Sequence, residues 1–139
     1  MKRSWFLTPF LALAVLLTFG GAQAQSLMTA PPGGEYKMVS SLVKLPDFLP
    51  GIGTLYVVPT TLPAGPFLAY DREGKLVSTV YMVPLKDLSA HKKFSDLNVA
   101  KERVDHVDMY YNAGHPGVPE PHYHIVLWYI AAEKAALVK

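Results

Sequence analysis

The sequence contains no cysteine. That excludes a disulfide framework, a zinc–thiolate site, thiol catalysis and an iron–sulfur cluster. It also excludes a lipid anchor of the bacterial lipoprotein type, which requires that residue. Side-chain amides are nearly as scarce, since beyond residue 24 only Gln25, Asn98 and Asn112 carry one. Prolines, by contrast, number 12. Few labile residues together with many loop prolines form the compositional pattern of heat-adapted proteins, so a thermophilic source is expected.

An excess of charge of one sign is missing as well. The 13 basic residues face 11 acidic ones, and Lys2 and Arg3 lie in the first 24 residues, where no acidic residue occurs; beyond them 11 face 11. His91, Lys92 and Lys93 make the one tight basic cluster. So neutral a chain presents no electrostatic footprint to a polyanion, which argues against nucleic acid as a partner. No Gly-x-Ser-x-Gly elbow, phosphate-cradling glycine loop or His-Glu-x-x-His helix occurs, and the balance leans away from an enzyme.

The longest hydrophobic run is short. Residues 5–19 are apolar apart from Thr8, Pro9 and Thr18, and the run stops at Gly20 and Gly21. A spanning helix needs about 20 apolar residues. Lys2 and Arg3 precede the run, and Ala22, Gln23 and Ala24 follow it as a small-x-small cleavage signal, the layout of a secretory signal peptide. The expectation is cleavage after Ala24 and export to the periplasm or the extracellular space, with no stable membrane anchor afterwards. The length supports one domain. The expected organisation is a signal peptide over 1–24, a flexible N-terminal arm over 25–34 and a single domain over 35–139.

What is present reads as an α+β domain, mainly antiparallel sheet with one or two short helices. Strands are expected over 35–45, 55–58, 67–70, 75–83, 103–111 and 122–130, and helices over 86–94 and 131–138. Phe48, Leu49 and Ile52 read as buried anchors of the loop between the first two strands. Asp71 and Gly74 suit the first and last positions of a type I turn, which makes 67–83 a hairpin. Its second strand is apolar on both faces, as in a central strand or one covered by a partner subunit.

Chemistry concentrates in the histidines. Of the five, His106, His115, His122 and His124 fall between residues 106 and 124. In the last two strands the odd-numbered positions, Val107, Met109, Tyr111, Tyr123, Ile125 and Leu127, are apolar, so those faces are expected to share a core. The even positions then gather His106, Asp108, His122 and His124 on one surface. Pro119 and Pro121 keep their preceding residues extended, which gives Glu120 the parity of His122 and His124. Glu120, His122 and His124 thus form a candidate metal site, with His115 as a fourth ligand from the loop and His106 and Asp108 in support. Imidazoles with one carboxylate suit zinc, copper, manganese or iron without selecting among them. In an enzymatic version the metal activates water or oxygen, and Asp108 or Glu120 orients an imidazole. The spacing does not fit a cupin, because the next acidic residue after His124 is Glu133. The Tyr-rich set is expected in the core or at an interface more than in a ligand cavity.

Two readings of function follow. A small, neutral, cysteine-free domain with apolar strand faces must bury them somewhere, and self-assembly does so without disulfides. The alternative is a metal-binding module, or a small metal-dependent enzyme, built on the histidine cluster.

Residues 65–84, with the loop and strand from His115 to His124 and above all Pro121, His122, Tyr123 and His124, resemble a small exported bacterial family of unknown function. Its prototype is a thermophile protein controlled by an extracytoplasmic, sigma-E type sigma factor and its anti-sigma factor. The resemblance covers residues 36 to about 130. It implies an α+β domain, a closed homo-oligomeric ring and a role in envelope stress; it implies no established activity.

Overall fold

The structure, a computed structural model, describes residues 26–139; the expected signal peptide over 1–24 lies outside the described residues. Six antiparallel strands form one sheet: β1 (Lys37–Met38), β2 (Thr54–Val57), β3 (Phe67–Tyr70), β4 (Leu76–Pro84), β5 (His106–Asn112) and β6 (His122–Trp128). Their order is β1-β2-β3-β4-β6-β5. Two short helices complete the domain, α1 (Leu85–Ser89) and α2 (Ala132–Ala135). The α+β, mainly antiparallel class is therefore correct, as is the single-sheet domain. No described helix is long and apolar enough to cross a membrane.

The 67–83 hairpin forms as its turn chemistry dictates. Asp71 Oδ1 accepts the amides of Glu73 and Lys75, both at 2.9 Å, and Gly74 takes the left-handed conformation at φ 75°. β4, apolar on both sides, is central and buried along all nine residues. Several expected element lengths need correction, among them the helix expected over 131–138, which is the four-residue α2. The first strand is only two residues long, because the chain turns into a 3-10 segment at Val39–Ser41 and leaves the sheet. The helix expected over 86–94 is the five-residue α1, which ends where His91 adopts φ 54°.

Residues 26–34 lie against the hairpin. Ala30 N–H donates to the Gly74 carbonyl, Leu76 N–H to the Met28 carbonyl, and the Tyr70 hydroxyl to the Leu27 carbonyl. With Ala100 they cover Tyr56, Leu68, Tyr70 and Leu76 on one face of the sheet.

The other face holds the larger core, and here the expected burial is inverted. Val57, Phe67, Val80, Met82, Val126 and Trp128 pack beneath the loop carrying Phe48, Leu49 and Ile52 and beneath Val138. That is the even-numbered face of β6, the one that carries His122 and His124; on the edge strand β5 the even positions Asp108 and Tyr110 remain exposed. The odd-numbered face is left open where β5 and β6 extend beyond the covering segments. Val107 is 55 % exposed, Met109 62 % and Tyr111 53 %. Alternation identifies the two faces but not which one the loops cover, and the loops cover the histidine side.

The turn gives a direct check. Replacing Asp71 with Ala removes a two-bond acceptor and is expected to lower unfolding free energy by about 1–2 kcal/mol in urea titrations. An unchanged denaturation midpoint would show that the turn forms without it.

Candidate metal site

β6 is paired on both sides, with β4 and with β5, and its side chains alternate between buried and partly exposed. His122 and His124 fall on the buried phase; His122 is fully enclosed and His124 is 5 % exposed. In register, Met82, His124 and Tyr110 form one row across β4, β6 and β5, and Pro84, His122 and Asn112 form the next. Successive histidines on one strand face stand roughly 7 Å apart along the backbone, yet their rings tilt together to a centroid separation of 4.9 Å.

The loop between β5 and β6 supplies the third imidazole. His115 and Val118 exchange backbone hydrogen bonds at 3.0 Å in both directions, and buried Val118 anchors the loop in the core. Gly114, at φ 129°, lets the loop close on itself, because a Cβ there would strike the Pro119 carbonyl. His115 is thereby held against both partners, 4.9 Å from the His122 ring and 5.6 Å from the His124 ring. One ring nitrogen from each of the three lies within 4.8 Å of the others.

The outer nitrogens of the rings are all occupied. His115 Nδ1 bonds the Pro116 carbonyl at 3.0 Å, and His122 Nδ1 the Glu120 carbonyl at 2.6 Å. A carbonyl can only accept, so both Nδ1 atoms carry a proton, and in the neutral tautomer both Nε2 atoms present a lone pair. His122 Nε2 and His124 Nε2 are 2.9 Å apart, so His124 Nε2–H donates to His122. His124 Nδ1 then accepts from the Tyr110 hydroxyl at 3.0 Å. Carbonyl and hydroxyl partners on the outer nitrogens are the arrangement that orients metal-ligating imidazoles. Burial, with His122 and His115 adding repulsion, lowers the His124 pKa to about 4. At neutral pH it is uncharged and able to act as a ligand.

The remaining candidates stand elsewhere. Glu120 shares the extended run, but its carboxylate pairs with Lys86 Nζ at 2.6 Å, and only its backbone carbonyl serves the cluster. Asp108 lies on the expected face opposite Val126 and accepts Trp128 Nε1–H at 2.8 Å. His106, opposite Trp128, stacks on that indole and bonds Asp105 at 2.9 Å. Both share the histidine face but sit further along the strand, in a second polar group around Trp128. Neither Asp108 nor the Glu120 carboxylate orients an imidazole; Tyr110 and two main-chain carbonyls do. Tyr110 was legible as an even-face residue, but its role required the register that sets it opposite His124.

A cavity of about 290 Å³ borders the cluster. His115, His124 and Asn112 contribute to its wall, together with aliphatic residues of the sheet and of the loop from Val39 to Ile52.

Residues 71–111 match the TTHB210-like family, described as hypothetical protein TTHB210. The crystal structure of hypothetical protein TTHB210 from Thermus thermophilus is similar over 68 % of this chain and 92 % of that one. It shows 51 % identity and a TM-score of 0.62. No curated protein matches the chain.

The depressed His124 pKa has a defined consequence. Above the unfolded-state value near 6.5 the ring is neutral folded or unfolded, and its burial is without proton cost. As pH falls from there toward about 4, the unfolded chain takes up a proton that the folded one refuses, and stability is lost. Urea unfolding of the wild type is expected to weaken across that window more than unfolding of His124→Phe. Parallel pH profiles would contradict this.

Proposed function

The chain belongs to the TTHB210-like family of hypothetical proteins, and on that premise we propose that it is a metal-binding protein whose site is His115, His122 and His124. The observation that carries this reading is the convergence of three imidazole nitrogens, each ring already oriented through its other nitrogen. Three neutral imidazoles suit zinc, copper, iron or manganese, with copper(II) and zinc favoured in affinity. For His124 to offer its Nε2 lone pair, its proton must move to Nδ1. The Tyr110 hydroxyl then turns from donor to acceptor, which a carbonyl could not do in reverse.

Calorimetric titration of chelator-treated protein with zinc or copper(II) is expected to show one site per chain. His122→Ala/His124→Ala abolishes it, and Tyr110→Phe weakens it by about 10–100-fold with the fold intact. A wild type that takes up none of zinc, copper, manganese or iron contradicts the reading.

A second reading, self-assembly, is favoured by the uncovered apolar face of β5 and β6. Val107, Met109 and Tyr111 stand beside partly exposed Tyr123, Ile125 and Leu127 on a sheet whose edge strand is β5. So large an apolar face, next to an unpaired edge, suits burial against further copies of the chain, including closure into a ring. Light scattering at micromolar concentration is expected to report an oligomer, and Met109→Glu to reduce it toward monomer. A monomeric wild type contradicts it.

Export and a place in the envelope stress response, under a sigma-E type factor, belong to the same proposal, as does a thermophilic source. The leader pattern of residues 1–24, the lack of cysteine and scarcity of amides, and the resemblance in residues 65–84 and 115–124 support them.

A further inference from the structure

We propose that the cavity beside the histidine cluster binds a mainly hydrocarbon or aromatic small molecule, uncharged outside a single polar head, with the head meeting the imidazole cluster as a ligand to the cation held there. The proposal rests on the metal reading for its head group alone; the cavity is a separate observation.

Three features carry it. First, none of the described residues lining the cavity is Asp, Glu, Lys or Arg, so nothing along its walls compensates a charge on the body of the bound molecule. Second, the polar side chains of the wall are gathered rather than scattered. His115 and His124 are in ring contact at 5.6 Å, and Asn112 accepts the Gly114 amide at 2.8 Å and is thereby committed to the loop. One polar patch facing aliphatic walls selects a molecule with one polar end. Third, the size is suitable. A dry cavity of about 150 Å³ accepts benzene, so about 290 Å³ accepts roughly ten to twelve non-hydrogen atoms. The walls come from the sheet face (Val57, Phe67, Val80, Met82) and from the loop that holds Leu42 at the rim, where it is 40 % exposed.

The uncovered face of β5 and β6 is on the opposite side of the sheet and belongs to the assembly reading; the cavity is on the histidine side.

The test uses the full chain and two probes with the same head, octanohydroxamate and acetohydroxamate, on Co²⁺-loaded and on chelator-treated protein. Metal loading is read from the visible cobalt band. On the cobalt protein, octanohydroxamate is expected to bind at least about tenfold more tightly by calorimetry, a difference that burial of about two methylenes supplies. Leu42→Trp should remove that preference and leave the cobalt band unchanged. Equal affinities for the two probes on protein that shows the band overturn the cavity proposal and leave the metal reading intact. So does a preference that Leu42→Trp fails to alter, which places the octyl chain elsewhere on the surface. Where zinc is held but the cobalt band is not seen, the same comparison is read on the zinc protein. Failure to show the cobalt band, with zinc and copper refused as well, overturns the metal reading instead. In that case an octyl preference of the chelator-treated protein, lost in Leu42→Trp, upholds the cavity with the head on the imidazoles themselves. Its absence overturns the cavity as well.

Discussion

Two imidazoles buried side by side on the inner face of a sheet impose a condition on everything near them. A buried polar ring without partners costs about 1–3 kcal/mol per orphaned group, and a buried imidazolium costs more. His124 avoids the second cost by remaining neutral, and both rings avoid the first by bonding each other, a main-chain carbonyl and a tyrosine hydroxyl. This requires the chain before β6 to fold back so that the Glu120 carbonyl reaches His122. It requires β5 to pair in the register that sets Tyr110 against His124. The same loop delivers His115, so the conditions for burying two histidines also assemble a third beside them.

These conditions decide how much of the site could be seen in advance. The parity of His122 and His124, the antiparallel class, the hairpin turn at Asp71 and Gly74 and the central position of β4 all follow from local alternation and turn chemistry. Local rules do not specify which sheet face the loops cover. The odd-numbered apolar face of β5 and β6 had the better claim by hydrophobicity, yet the loops cover the even face, where Val126 and Trp128 provide the apolar contacts. Glu120 shows the other limit. Its extended backbone was foreseeable from the flanking prolines, but Lys86, 34 residues away, draws its carboxylate outward. His106 and Asp108 share the correct face at the wrong height, and height depends on register, which a single sequence does not give.

The loops enclose the histidine face of β6, and the apolar face of β5 and β6 is left to solvent, next to an edge strand. A domain without disulfides has burial as its main means of stabilisation, and the proposed assembly through that face would supply it. Tyr110 links the two properties: it sits on the edge strand and partners His124. On the proposed reading, occupancy of the site would be felt by β5 through that side chain.

The central claim is that three imidazoles of one chain hold one cation. X-ray absorption at the zinc edge of protein carrying one equivalent of zinc tests it most directly. The expected result is an imidazole-dominated first shell, with Zn–N distances of about 2.0–2.1 Å and the outer-shell scattering of three histidine rings. A shell of oxygen ligands with at most one imidazole would contradict it.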